Sequence, residues 1–341
     1  MNVRIGIAGL GRLGRVHAQN LLSSVPDCSL IAACSVIEEE LQFARDILRI
    51  TYTFSNYEDM IRSDLIDAVF IITPSGFHCE HINLAFKYGK HVFCEKPIGL
   101  DVHEIKQTQQ IIQSNQELVF MLGFMRRYDE SYRYAKSIVD RGEIGDITLL
   151  RCYGIDPTSG LESFIAFAKH NFSGGLFIDM AIHDIDLVRW FTGHEISQVW
   201  AIGKNSLYPE LDALRELETG AVMMQLDNNT IALIVAGRNA AHGYHIETEI
   251  IGTKGMIRVA QTPDKNLVTI MNAHGVIRPC SQHFSERFRD AFIEEAREFI
   301  RCIQEKRSPQ VTAQDGLQAT VIALACQESY EGNHLVQIDY I

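Results

Sequence analysis

This 341-residue chain has no long apolar run, no cysteine pairing pattern, no basic tract and no proline-rich linker. Without a run of about 18 apolar residues, no membrane-spanning helix is expected. The first residues lead straight into a strand pattern, lacking the charged-then-apolar order of a secretory leader. The eight cysteines, at 28, 34, 79, 94, 152, 280, 302 and 326, are scattered, with no C-x-x-C. That argues against a disulfide framework or a zinc site and suits reduced thiols in a cytoplasmic protein. Lysine and arginine number 31 against 43 acidic residues, a net charge of −12, so no nucleic-acid partner is expected. Hydrophobic content of 46% and charged content of 22% are those of a globular chain. At this length two domains are the default.

What is present begins at once. Residues 3–8 form a short apolar strand pattern that runs directly into Gly9-Leu-Gly11-Arg12-Leu13-Gly14, followed by a helical stretch over 15–23. A G-x-G-x-x-G placed after a strand and before a helix is a dinucleotide-binding turn. The first glycine permits the turn, the second lets the backbone approach a pyrophosphate, and the third brings helix and strand close. The alternation continues with strands at 30–34, 67–73, 91–95 and 119–124 and helices at 38–48 and 79–88. The 67–73 run is apolar almost throughout, as in a parallel strand buried on both faces. Its end, Thr73-Pro74 to His78, and Glu95-Lys96-Pro97 fall where ligands of open α/β sheets bind. Lys96 is either a strand-end surface lysine or a group placed for proton chemistry. An acid normally ends the second strand to bind the ribose; here that place is Ser35, and Glu38 and Glu39 fall inside the next helix. Arg12 could pair with a 2′-phosphate. NAD is placed ahead, with NADP or dual use open. Residues 1–125 are taken as a Rossmann domain.

Residues 126–341 read as an α+β domain with a large, mostly antiparallel open sheet. Strands are expected at 147–153, 198–202, 221–226, 230–237, 245–252 and 255–259, and helices at 286–305 and 313–330. Gly154-Ile155-Asp156-Pro157 is expected in a loop. Such a sheet has a face to cover, and a homo-oligomer would cover it. In the 174–190 segment, paired glycines precede a helical pattern whose apolar side is Ile178, Ile182, Ile185 and Val188. Asp179 and His183, four apart, share a face, so the carboxylate can orient the imidazole as a proton acceptor. Alone, such a pair is better read as a surface ion pair or a core histidine; Lys96 and the glycine turn in the same chain reverse that reading in favour of catalysis. No second histidine stands at ligand spacing, so no metal is expected.

Together, Gly9-x-Gly11-x-x-Gly14, Glu95-Lys96-Pro97 and Gly174-Gly175-x-x-x-Asp179-x-x-x-His183 resemble the glucose–fructose oxidoreductase/inositol dehydrogenase family over essentially the whole chain. Gly123 to Asp129, Gly145-Asp146, Asp156-Pro157 and Ser173 to Asp184 follow the pattern of its bacterial inositol-oxidising members. The resemblance implies a Rossmann domain plus an open-sheet domain, usually a tetramer, with Lys96, Asp179 and His183 as the catalytic set. It implies NAD(P)-dependent oxidation of a secondary alcohol of a cyclic polyol, myo-inositol first, with scyllo-inositol or a hexose as alternatives. A non-catalytic NAD(P)-sensing regulator is the rival class. Cofactor contacts are expected from Gly9, Gly11, Arg12, Leu13, Gly14, Ser35, Thr73, Pro74, His78, Glu95 and Lys96. Substrate contacts are expected from Lys96, Asp156, Asp179 and His183, with Arg127 (or a salt bridge instead) and His242 and Tyr244 (or a sheet edge).

Overall fold

The computed structural model describes residues 2–169, 173–260 and 264–340. They fall into two compact units, 1–128 with 290–320, and 129–289 with 321–341.

The first unit is built on six parallel strands: β1 (Val3–Ala8), β2 (Cys28–Cys34), β3 (Tyr52–Phe54), β4 (Ala68–Ile71), β5 (His91–Glu95) and β6 (Phe120–Gly123). Their order is β3-β2-β1-β4-β5-β6, so the chain reverses direction across the sheet between β1 and β4. Ligands of doubly wound sheets bind at that switch point. β4 and β6 are buried at every position, which explains their unbroken apolar sequence. The helices α1 (Arg12–Ser23), α2 (Glu38–Asp46), α3 (Tyr57–Arg62), α4 (His78–Lys87) and α5 (Val102–Gln113) connect them. Side-chain caps fix two starts: Asn56 accepts the Asp59 N–H for α3, and Asp101 accepts the Glu104 N–H for α5. β3, α3 and α5 are too short or too polar to stand out as periodic segments.

The second unit opens with α6 (Glu130–Asp140), capped by Asp129, which accepts the Ser131 and Tyr132 N–H groups. It continues through β7 (Ile147–Pro157), α7 (Leu161–Ala168), α8 (Ile182–Thr192), β8 (Ile196–Lys204), β9 (Thr219–Leu226), β10 (Ile231–Ala240), β11 (His245–Gly252) and β12 (Met256–Val259). A small hairpin, β13 (Ile270–Asn272) and β14 (Gly275–Ile277), precedes α9 (Phe284–Arg287); α10 (Arg289–Glu305) and the start of α11 (Ala313–Gly332) then belong to the first unit, and the end of α11 and β15 (Val336–Gln337) to the second. The main sheet has the order β12-β11-β7-β10-β9-β8-β15. Every pair in it is antiparallel except β7 with β10. Residues 154–157 are the end of β7 and not a loop: Gly154 pairs with Ala236 and Ile246, and Pro157 with Ala240. The expected helix over 286–305 is two, α9 and α10.

Along β9 the burial alternates, with Val222, Met224 and Leu226 inside and Met223 half exposed. Trp200 pairs with Met223 in register, and Ile202 and Ile231 are exposed beside them. One face of the sheet therefore shows a row of large apolar side chains. No described helix is long and apolar enough to cross a membrane.

Candidate active site

The cofactor candidates lie at the carboxyl ends of β1, β2, β4 and β5 in the first unit. Gly9 has φ of +90°, and its N–H bonds the Cys34 carbonyl at 2.9 Å, which closes the turn after β1. A methyl group on Gly14 would lie 2.1 Å from the Gly9 carbonyl oxygen, so only hydrogen lets α1 start this close to the strand. Gly11, by contrast, faces open space, with only the Glu40 carboxylate 3.8 Å from where a Cβ would sit. No side chain caps α1 and no acid stands in its first turn, which leaves a positive helix start for an anion. Arg12 is exposed and Leu13 half-buried on that turn. The residues present thus fit a dinucleotide: a narrow glycine turn, an uncapped helix start and an open approach at Gly11.

Ser35 is buried, and its hydroxyl donates to Glu40 Oε2 at 2.6 Å; the Leu10 N–H donates to the same oxygen at 3.1 Å. Glu40, inside α2, thus brings to the glycine turn a carboxylate that the end of β2 does not carry. Glu38 and Glu39, the acids nearest the strand end in sequence, are exposed at the start of α2. Glu40 lies one residue further on, and the curl of α2 carries it back to the turn.

Other candidates lie behind the surface. His78 is buried, its two ring nitrogens 2.6 Å and 2.8 Å from the Pro97 and Thr73 carbonyl oxygens, so it ties together the loops after β4 and β5. Burial lowers its pKa, partly opposed by those two carbonyls. Thr73 Oγ1 lies 3.0 Å from His81 Nδ1, and Pro74 leads the short turn before α4. Glu95 is buried too: Oε1 lies 2.8 Å from His17 Nε2, and Oε2 accepts the Lys96 N–H at 3.2 Å. Lys96, half-buried, follows directly and is joined to Pro97 by a cis peptide bond. Arg127 is buried and donates to Asp315 at 3.0 Å, the salt-bridge reading of that residue. Burial pushes the Asp315 carboxyl up, but Arg127 and two bonds from Thr312 outweigh it and leave the pKa lowered.

In the second unit, Gly174 and Gly175 have φ of +91° and +87°, a left-handed pair open to glycine without strain. The chain then makes one wide π-helical turn over Phe177–Ala181 before α8 takes over. Such turns recur at functional sites. Ile178, Ile182, Ile185 and Val188 are all buried, as the apolar pattern requires. Asp179, on the wide turn, and His183, in the first turn of α8, are both half-buried. Asp179 Oδ2 lies 2.8 Å from the Arg238 guanidinium, which is 4% exposed and stacks 3.5 Å over the Phe164 ring. Glu216 stands 3.7 Å from the same guanidinium and accepts the Ser173 hydroxyl, which in turn accepts the Gly175 N–H at 3.1 Å. Burial raises the Glu216 pKa, with Arg238 and Ser173 opposing. Arg238, Glu216 and Ser173 hold the carboxylate and the glycine pair from below. Nothing in the spacing along the chain links them, because they converge from β10, the segment before β9 and the segment before the wide turn.

Asp156 is half-buried near the end of β7. Tyr244 is 4% exposed and packs edge-on to Phe288, with ring centroids 6.3 Å apart. His242 is exposed, its Nε2 3.0 Å from His245 Nδ1; burial and that neighbouring ring both lower its pKa.

Residues 3–124 match the profile of an oxidoreductase family with an NAD-binding Rossmann fold, and residues 132–258 match the GFO/IDH/MocA C-terminal domain. The chain belongs to the GFO/IDH/MocA oxidoreductase family. It is similar to the scyllo-inositol 2-dehydrogenase (NAD(+)) of Bacillus subtilis, 32% identical with 99% of this chain and 96% of that protein covered. It is also similar to the myo-inositol 2-dehydrogenase of Thermotoga maritima, 29% identical with 99% of each covered. Among solved structures, that of scyllo-inositol dehydrogenase from Lactobacillus casei with bound NAD(H) and scyllo-inositol is 56% identical. It covers 99% of each chain with a TM-score of 0.96. The myo-inositol 2-dehydrogenase of Lactobacillus plantarum is 45% identical, with 99% of this chain and 100% of that one covered and a TM-score of 0.97. The expected family and fold, a Rossmann sheet plus an open-sheet α/β domain, hold, and the chain is an NAD-binding oxidoreductase.

Proposed function

We propose that this protein oxidises the C2 hydroxyl of an inositol with NAD. The observation that carries this is the 56% identity, over 99% of both chains, to an enzyme whose structure holds NAD(H) and scyllo-inositol. myo-Inositol and scyllo-inositol differ only in configuration at C2, so oxidation there yields the same ketone, 2-keto-myo-inositol, from either. The higher identity to the scyllo-inositol dehydrogenase than to the myo-inositol 2-dehydrogenase favours scyllo-inositol as the better substrate, with myo-inositol second.

NAD, when bound, supplies the hydride acceptor. The chain's residues handle the alcohol and its proton. His183 takes the hydroxyl proton, with Asp179 beside it favouring the protonated imidazole that results. Arg238 holds Asp179 in one orientation. Lys96 donates a hydrogen bond to the reacting oxygen and stabilises its growing negative charge. Asp156 and His242 accept hydrogen bonds from the remaining hydroxyls, while Arg127 and Tyr244 are buried. Glu40 favours NAD over NADP by placing a carboxylate where a 2′-phosphate would lie. The exposed apolar row around Trp200 and Met223 is the face a second subunit's sheet would cover, consistent with a homotetramer. Eight free thiols suit a reducing cytoplasm.

The test is initial rates with scyllo-inositol, myo-inositol and glucose, each with NAD and NADP. NADH formation fastest with an inositol is the expected result. Fastest turnover of glucose would replace the substrate, and no reduced cofactor from any polyol would leave a cofactor-sensing protein.

A further inference from the structure

Inside the first unit, His17, Glu95 and Glu295 bring an imidazole nitrogen and two carboxylate oxygens within 4.8 Å of one another. They arrive from α1, β5 and α10, far apart in sequence. All three are buried, Glu295 and His17 completely. The surroundings are aromatic: the His17 ring lies 5.9, 5.4 and 5.5 Å from the rings of Phe70, Phe93 and Phe292. Phe70 and Phe93 stack on each other, and Phe299 meets both edge-on. On the β6 side, a Cβ on Gly123 would fall 3.3 Å from the Glu95 carboxyl, so glycine there leaves it room.

Among the described residues, both Glu295 oxygens and His17 Nδ1 find no hydrogen-bond partner. Two ionised carboxylates this close in an apolar box repel each other with little solvent to screen them, so one must carry a proton. Glu95 already has two donors, His17 Nε2 and the Lys96 N–H. The proton therefore belongs on Glu295. Burial, reinforced by the charge of Glu95, pushes its carboxyl well above the usual range.

We propose that His17, Glu95 and a neutral Glu295 form a buried positioning triad that fixes the Glu95-Lys96 backbone and so aims the Lys96 side chain. This rests on Lys96 acting on the substrate hydroxyl, as proposed above. The triad makes no contact with substrate. One Glu95 oxygen anchors to His17 on the glycine-turn helix, the other holds the Lys96 N–H, and protonated Glu295 lets the Glu95 charge persist without a second charge beside it. A divalent cation on the same three groups is the rival occupant, and it needs Glu295 ionised.

The test uses the full-length protein with NAD and an inositol. His17→Leu should lower kcat about ten- to a hundredfold, the scale of a slightly misplaced catalytic group, with the KM for NAD near native. In a Lys96→Ala background the same change should add no further loss, because its effect runs through Lys96. Glu295→Gln, a neutral isostere, should rescue folding and turnover relative to Glu295→Ala, and should delete a protonated-carboxyl C=O band from the infrared spectrum of the native protein. That spectrum needs no folded His17 variant. Native kcat in folded His17→Leu beside an inactive Lys96→Ala overturns the positioning role alone; native kcat in Lys96→Ala overturns the reading of Lys96 and this role with it. Equal losses in both backgrounds, a missing infrared band, or one equivalent of divalent metal in the purified protein overturns the triad.

Discussion

Replacing Glu40 by Gln should change cofactor choice without disturbing the fold. Glu40 Oε2 accepts from the Leu10 N–H and the Ser35 hydroxyl, at the mouth of the glycine turn. A phosphate charge about 4 Å from one carboxylate meets ~4 kcal/mol of repulsion at an effective dielectric of about 20. Glu40 is only half-buried, so salt and solvent reduce that to roughly 2 kcal/mol. The amide keeps an acceptor for Leu10 but loses the charge that strengthens a ribose hydrogen bond, worth roughly 1 kcal/mol to NAD. Together these shift the NAD-to-NADP ratio of kcat/KM by ~3 kcal/mol, or about a hundredfold. Initial rates with both cofactors at saturating inositol, beside a thermal melt, give the answer. A ratio that stays within about threefold of native in a variant of native Tm would show that Glu40 does not face the ribose, and the account of NAD preference would fall.

Other outcomes follow from the same geometry. His183→Ala and Lys96→Ala should each cut turnover by about 10²–10⁴-fold, while NAD binding, followed by fluorescence titration, stays near native. Arg238→Met should destabilise the protein in urea by roughly 1–3 kcal/mol, below the usual cost of breaking a buried pair, because Asp179 can rehydrate and Glu216 can take a proton. Its turnover should fall while the Kd for NAD holds. Asp315 has a carboxyl pKa below its ordinary 3.8, so it contributes stability above that pH, and the contribution is lost as pH falls through the lowered value. Asp315→Asn should therefore destabilise at pH 7 and flatten the acid limb of the stability curve below about pH 4, as measured by urea unfolding across pH.

Much of the first unit was legible because local rules decide it. β4 is buried on both faces, so its sequence is apolar throughout; Gly9 and Gly14 mark a turn that other residues could not make. The segment at 174–190 was legible for the same reason, its left-handed glycine pair and apolar stripe being nearest-neighbour effects. Glu40 was missed because helix curl, not strand order, returns it to the turn. Asp156 was placed in a loop, yet β7 continues through it because β10 and β11 supply partners on both sides. The wide turn at Phe177–Ala181 left no mark in the apolar periodicity, since its buried positions are those of an ordinary helix.

By itself the sequence determined the class of ligand and the order of elements, since turns, strand burial and helix stripes depend on residues a few positions apart. Only the tertiary structure decided which distant side chains share a space. It grouped residues 290–320 with the first 128, set Arg238 against Asp179, and brought His17, Glu95 and Glu295 together among phenylalanines. Charges and hydrogen bonds act over a few ångströms of space, whatever the length of chain between them, and that distance exists only once the chain has folded.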